Sequence, residues 1–378
     1  MKITKLTTYI VKQQLDGETS FAYSQAWYNS RVILLLKVET DEGITGWGEA
    51  FGPAAVHKAI IDNVYAPLIL GRDPFDGEVI WEELYNKLRD HGQKGLSIEA
   101  ISPIDIALWD IRGKAAGLPV YKLIGGASRD RIMPYATGLY RQKCADIIRE
   151  LTKEAAGYAE RGFRAIKLKI GFGIEDDLKT VKAVRNAVGP DILLMTDANH
   201  AYNAVSAIKL SRKMEEYDIF WFEEPVPPED LDGYAEVKAK THIPVAGGEA
   251  EFTRYGFHRL LEKRAVDIVQ PDCCVTGGIS EFKKIVTLAS VYNTQCYPHI
   301  WGSAIALQTG IHCAFSLPHF PPSLSPAEVL LEYDRTENIF REKLSRNPLV
   351  IRDGYVYLPE GAGLGLDIDE ELIEKYKI

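Results

Sequence analysis

Six apolar runs in this 378-residue chain each end in a side chain able to hold a proton or a metal ion. Lys167 and Lys169 close Ala165-Ile-Lys-Leu-Lys, Asp197 closes Leu193-Leu-Met-Thr-Asp, and Glu223 closes Phe220-Trp-Phe-Glu. Glu249 follows Pro244-Val-Ala-Gly-Gly, Asp272 follows Ile268-Val-Gln-Pro, and His299 follows Cys296-Tyr-Pro. Asp197 to Glu223 and Glu223 to Glu249 are 26 residues each, and Asp272 to His299 is 27. One strand-plus-helix unit of a (β/α)8 barrel takes roughly 25–30 residues, and catalytic groups in that fold sit at the C-terminal ends of its strands. The spacing predicts a ring of chemical groups around a barrel mouth.

Three carboxylates (Asp197, Glu223, Glu249) in one dry pocket repel each other unless a cation neutralises them. One such acid alone would read as a solvated loop residue, but three in register do not. Oxygen donors without thiolate or imidazole suit Mg²⁺, with Mn²⁺ as a substitute. Glu224 points to the opposite side of the strand from Glu223, and spacing alone does not choose between them.

Lys167 and Lys169 are two apart and share a face. A second ammonium and a nearby cation both lower a lysine pKa, which makes it a usable base. Opposite them, an Asp272 carboxylate bonded to the His299 imidazole would fix its tautomer and raise its basicity. The other seven histidines read as structural, with His91 and His200 kept open. One base on either side of a metal suits removal of a proton α to a carboxylate, the metal stabilising the enediolate. Returning the proton to the other face gives racemisation. Expelling a β-substituent gives elimination.

The elements needed to position these groups are legible. Arg31 to Thr40 reads as a strand, Asp41-Glu-Gly43 as a turn, and Ile44 to Gly48 as the return strand of a hairpin. Ser20 to Ser30, with Tyr23, Trp27 and Tyr28 but no clear period, reads as a mobile loop. Helical periodicity runs from Ala54 to about Leu123, and Gly125-Gly126 ends it. The barrel should begin at Arg131, with helices at about 144–160, 175–188, 203–216, 229–240, 253–262 and 278–291, and an eighth strand at Val329 to Asp334. Gly361-Ala-Gly-Leu-Gly365 opens no long helix, so it is a poor dinucleotide fingerprint.

Composition excludes other classes. The chain is 46% hydrophobic and 26% charged, an ordinary globular balance. A net charge of −9 argues against a nucleic-acid partner. No apolar run reaches the roughly 18 residues of a membrane span. Five cysteines, an odd number with no Cys-x-x-Cys, suggest reduced thiols and a cytoplasmic setting.

These residues together resemble the enolase superfamily, mandelate racemase subgroup, over essentially the whole chain. The resemblance implies an α/β architecture: a (β/α)7β TIM-like barrel at 126–350 and an α+β capping domain at 1–125. A C-terminal segment, 351–378, should return to the cap. It makes Asp197, Glu223 and Glu249 the Mg²⁺ ligands, which selects Glu223 over Glu224. It makes Lys169 one acid/base, Lys167 its pKa-lowering and carboxylate-binding neighbour, and His299, oriented by Asp272, the other acid/base. Asn199 and Glu332 match substrate-contacting positions. Ser20 to Ser30 and His91-Gly-Gln-Lys-Gly95 should supply the cap contacts that choose the substrate, with Gln93 and His91 as candidates.

Lys169-Ile-Gly-Phe-Gly, Asp197-Ala-Asn-His-Ala-Tyr, Trp221-Phe-Glu-Glu-Pro-Val and Pro298-His-Ile-Trp-Gly are similar to those of galactarolactone cycloisomerases. Glu332-Tyr-Asp-Arg-Thr-Glu-Asn-Ile-Phe-Arg adds to that likeness. The implied reaction is opening of an acid-sugar lactone such as galactarolactone or glucarolactone to a linear 3-deoxy-2-keto acid. An acid-sugar dehydratase and a racemase or epimerase share the same barrel chemistry. A non-catalytic sugar-acid-binding barrel would have no use for two opposed bases. A metal-dependent hydrolase would want histidine ligands or two metals. The resemblance also suggests a homo-oligomer, often an octamer.

Overall fold

The computed structural model describes residues 1–319 and 322–378. Its first layer is an antiparallel sheet of β1 (Ile3–Gln14), β4 (Ser30–Thr40) and β5 (Thr45–Ala50), in the order β1-β4-β5. Between β1 and β4 lie β2 (Phe21–Ala22) and β3 (Trp27–Tyr28), which pair as a short antiparallel hairpin. The Ser20 to Ser30 segment, read as a mobile loop for want of a period, thus contains a short hairpin. Phe21 and Ala22 are buried, and the Phe21 ring stacks on Tyr28 with centroids 5.5 Å apart. Aromatic packing, which no periodic pattern reveals, orders the segment.

Helices from Ala54 onward cover this sheet, and the longest, Leu96–Ala116, lies across β5. The approach is close enough to require glycine in the strand. A Cβ at Gly46 would stand 2.1 Å from the Ala107 carbonyl oxygen, and one at Gly48 1.9 Å from that of Pro103.

The second layer is the barrel. Eight parallel strands follow in chain order: β6 (Arg131–Gly138), β7 (Ala165–Lys169), β8 (Leu193–Asp197) and β9 (Ile219–Glu223). Then come β10 (Val245–Gly247), β11 (Ile268–Val269), β12 (Gln295–Cys296) and β13 (Leu330–Asp334). Among the described residues an α-helix lies between each strand and the next, which makes seven helices and eight strands. The ladder runs continuously from β12 back through β6 to β13. At the β12–β13 seam the Ile300 N–H donates to Glu332 Oε2 at 3.0 Å instead of to a strand partner.

Alternation divides the strands into two faces. Ile166, Leu168, Leu194, Phe222 and Val245 pack outward beneath the helices, while Tyr135, Met195, Trp221 and Ala246 fill the interior. Lys167 and Lys169 have the interior parity. β14 (Val356–Tyr357) pairs antiparallel with the start of β6. The chain then returns to the first layer: Leu364 N–H donates to Asp110 Oδ1, and Ile378 N–H to the Ile10 carbonyl. No helix of the described residues is long and apolar enough to cross a membrane.

Candidate active site

Strand register brings the first part of the site together. Lys169 pairs with Asp197 across β7 and β8, and Asp197 pairs with Glu223 across β8 and β9. With all three on interior-facing positions, their heads lie side by side at one level of the barrel. Glu249 stands just past the end of β10, and Asp272 and His299 follow the very short β11 and β12. Those three ride on the loops above the barrel rather than on the strands themselves.

The lysines are bound tightly. Lys167 Nζ, fully buried, lies 2.5 Å from Glu223 Oε1, 2.8 Å from Glu332 Oε1 and 3.7 Å from Asp197 Oδ2. Lys169 Nζ donates to Asp197 Oδ2 and, at 3.0 Å, to Asn199 Oδ1. Glu223 Oε2 accepts from Trp221 Nε1 at 2.9 Å and Gln270 Nε2 at 2.8 Å. On the far side, His299 Nδ1 is 2.7 Å from Asp272 Oδ2, and Asp272 Oδ1 accepts from the Cys274 N–H. His299 Nε2 is 3.3 Å from Glu249 Oε2 and 3.9 Å from Glu332 Oε2.

The charges follow from these contacts. Burial works against a charged Lys169, but Asp197, with Tyr140 and Glu249 behind it, outweighs it and the pKa rises. Lys167 behaves likewise, burial being overcome by Glu223 and Glu332. Lys167 does act to lower the pKa of Lys169, as expected, but the surrounding acids outweigh it. Its influence is one of the smaller ones on Lys169, because each ammonium is paired to its own carboxylate. Asp197 is held below its usual range, Lys169 and Lys167 outweighing its burial, whereas burial pushes Glu223 up. Burial opposes the imidazolium of His299, yet Glu249, Glu332 and Asp272 together raise it to about 10.

Asp197, Glu223 and Glu249 each offer an oxygen within 4.8 Å of the others. Glu249 Oε2 is buried and accepts no hydrogen bond. Three gathered oxygen donors, one of them short of a partner, fit a hard divalent cation. Glu224 points away from this cluster to His200, whose Nε2 lies 2.7 Å from its Oε2. Asn199, His200 and Glu224 all have positive φ (42°, 64° and 45°), an unusual concentration of strained backbone beside one site.

A cavity of about 350 Å³ opens over these groups, with Lys169, Asn199, Glu249, His299 and Glu332 in its wall. Lys167, Asp197, Glu223 and Asp272 lie behind that wall as supporting contacts. His91 and Gln93 are exposed and do not line the cavity. The neighbouring Lys94 instead reaches Glu251, at 3.3 Å. Lining residues that the sequence reading did not single out include Glu99, Phe51, Tyr140 and Trp301. Phe51 lies two residues past Glu49, a charge near the end of the buried strand Thr45–Ala50, and that was the available signal.

This fold and site define a metal-assisted acid/base barrel enzyme, and comparison with known proteins gives the family. Residues 5–125 match the mandelate racemase / muconate lactonizing enzyme N-terminal domain, and residues 150–372 match the enolase C-terminal domain-like family. The chain belongs to the mandelate racemase / muconate lactonizing enzyme family of the enolase superfamily. It is 43% identical to a D-galactarolactone cycloisomerase of Agrobacterium fabrum, over 100% of this chain and 99% of the other. It is 36% identical to an arabinonate dehydratase of Saccharolobus solfataricus, over 91% of this chain and 90% of the relative. The 3,6-anhydro-D-galactonate cycloisomerase of Zobellia galactanivorans superposes with a TM-score of 0.91 at 43% identity, covering all of both chains.

Proposed function

We propose that this protein is an acid-sugar lactone cycloisomerase, with galactarolactone or glucarolactone as its substrate. The observation that carries the reading is that Lys169, bound to Asp197, and His299, 3.3 Å from Glu249, flank the Asp197, Glu223 and Glu249 cluster and both line one cavity. Those three carboxylates would hold Mg²⁺, which supplies positive charge to the substrate carboxylate as negative charge builds on it.

The chain's own residues carry the protons. One of Lys169 and His299 takes the proton from the carbon α to the free carboxylate. The electron pair released forms the carbon–carbon double bond and expels the β ring oxygen as a carboxylate. The other residue returns a proton to the β carbon as the enol becomes a 2-keto acid, so substrate and product are isomers. Asp272 at Nδ1 keeps Nε2 of His299 turned toward the cavity. Lys167 and Asn199 fix Glu223 and Lys169 in place.

Proton NMR in D₂O tests the reading directly. A lactone incubated with enzyme and Mg²⁺ should open to a 3-deoxy-2-keto acid carrying deuterium at the deoxy carbon. Loss of water from a linear acid, as the kinship to an arabinonate dehydratase allows, would replace it with a dehydratase reading. Exchange without product would make it a racemase.

A further inference from the structure

The described wall of the cavity holds three side chains able to carry positive charge: Lys169, His299 and His200. Lys169 and His299 move the protons of the reaction, which leaves His200 without a task. The acids of the same wall are each matched already. Glu99 Oε2 lies 2.6 Å from Nε2 of the buried His57, and Glu332 Oε1 lies 2.8 Å from Lys167 Nζ. Glu249 belongs to the three-carboxylate cluster.

His200 is fixed from two directions. Its Nε2 lies 2.7 Å from Oε2 of the buried Glu224, and among the described residues no second cation pairs with that carboxylate. Its backbone N–H donates to the Glu224 carbonyl at 2.9 Å. Both residues have positive φ, a strain that persists where the surroundings enforce it and that gathers at functional sites. Burial opposes an imidazolium here, yet Glu224, with Glu249 and Asp197 behind it, raises the pKa to about 9. Nε2 is shut in against Glu224, while 26% of the side chain stays exposed. The open edge of the ring carries Nδ1, so an imidazolium held in this way has its second N–H to offer to the cavity.

We infer that His200 receives the second carboxyl group of the substrate, donating from Nδ1 to the ester of the lactone and then to the carboxylate that ring opening releases. The inference rests on the lactone reading above and deepens it, naming aldarate lactones as the substrate class. When the ring carbon–oxygen bond breaks, its electron pair stays on oxygen and the new carboxylate needs no proton. It does need a partner, because it forms beside Glu99, Glu249 and Glu332. His200 is the cation of the wall that the proton transfers leave available. An aldonate, with a neutral hydroxymethyl group at that end, gains less from it.

Calorimetric titration tests this apart from turnover. In Lys169→Ala enzyme with Mg²⁺, galactarate, with two carboxylates, is compared with D-galactonate, which has one and the same hydroxyl configuration. We expect galactarate to bind roughly tenfold tighter, the scale of one charge-assisted hydrogen bond. Adding His200→Gln should bring the two ligands to about equal affinity, by weakening galactarate. That variant leaves Glu224 without its cation, so the double variant His200→Gln/Glu224→Gln, neutral at both positions, is measured beside it and should give the same equality. Equal affinities with His200 present would overturn the inference. So would a preference for galactarate that survives in both variants, as it does if His200 only braces its loop. The NMR assay reads the reaction separately: lactone opening without a preference for galactarate keeps the reaction and removes this role, and the preference without lactone opening keeps the role and removes the reaction.

Discussion

Asp272 Oδ2 lies 2.7 Å from His299 Nδ1, joining the loops above two neighbouring strands, β11 and β12. The contact sets which imidazole nitrogen can face the cavity. A carboxylate at Nδ1 takes a hydrogen bond from it and leaves Nε2 to work. Asp272→Asn could present its amide N–H₂ to Nδ1 and so favour the wrong tautomer. We expect kcat to fall by roughly 10²–10⁴-fold, the range of a general acid/base contribution. Steady-state kinetics with circular dichroism to verify the fold checks it, and near-normal kcat would refute the role given to Asp272.

Lys169 and His299 should separate by isotope exchange. Lys169→Ala and His299→Asn should each lower turnover by about 10²–10⁴-fold while the fold persists. One of the two should still exchange the α proton of the lactone with D₂O, because it keeps the abstracting base. The other should not exchange it at all. Full turnover in either variant would mean that the remaining residue performs both transfers, and exchange in neither would mean that proton abstraction itself needs both.

Removal of the divalent cation should abolish activity, and Mg²⁺ or Mn²⁺ should restore it. Stability should respond as well, since an ion that binds only the folded chain adds about 2.7 kcal/mol at a hundredfold excess over its Kd. Thermal melting with and without Mg²⁺ reads this shift. Glu249→Gln, which removes one carboxylate of the cluster, should suppress most of it. A shift of equal size in that variant would place the ion elsewhere.

His312 predicts an acid-side loss of stability far from the cavity. It is fully buried; Nδ1 accepts the Tyr121 N–H at 3.2 Å, and Nε2 faces the Leu364 carbonyl at 3.2 Å. Burial lowers its pKa from 6.5 to about 4. The unfolded chain therefore takes up the proton first as pH falls. The stabilisation is fully present above pH 6.5 and is lost between there and about pH 4, roughly 3 kcal/mol in all. Urea denaturation against pH should show this slope, and His312→Gln should flatten it.

Glu49 ties the cap to the segment that follows His299. Fully buried, it accepts from the Ser303 N–H at 2.9 Å, the Ser303 hydroxyl at 2.5 Å and the Ala306 N–H at 3.1 Å. Burial raises its pKa to about 7. Glu49→Ala leaves these buried donors without an acceptor, at a cost of roughly 1–3 kcal/mol. A lower urea midpoint with an unchanged m-value is the expected result.

The sequence by itself determined the barrel and its chemical ring. Asp197, Glu223, Glu249, Asp272 and His299 recur at the length of one strand-plus-helix unit, and a repeated covalent spacing survives in any one-dimensional reading. The two lysines of β7 were legible for the same reason, through the two-residue period of a strand. Tertiary structure decided what spacing cannot encode. The Ser20 to Ser30 stretch became an aromatic hairpin because its partners, Tyr140 and Trp301, lie more than a hundred residues away. Lys167 proved to be an ion-pair partner of Glu223 and Glu332, since charge states depend on which acids the register brings within 3 Å. The cap residues that line the cavity are Tyr23, Tyr28, Phe51, Gly52 and Glu99, and His91 and Gln93 are not among them. Which side chain of a covering layer reaches a cavity depends on how two separately patterned layers dock, and no local pattern records that.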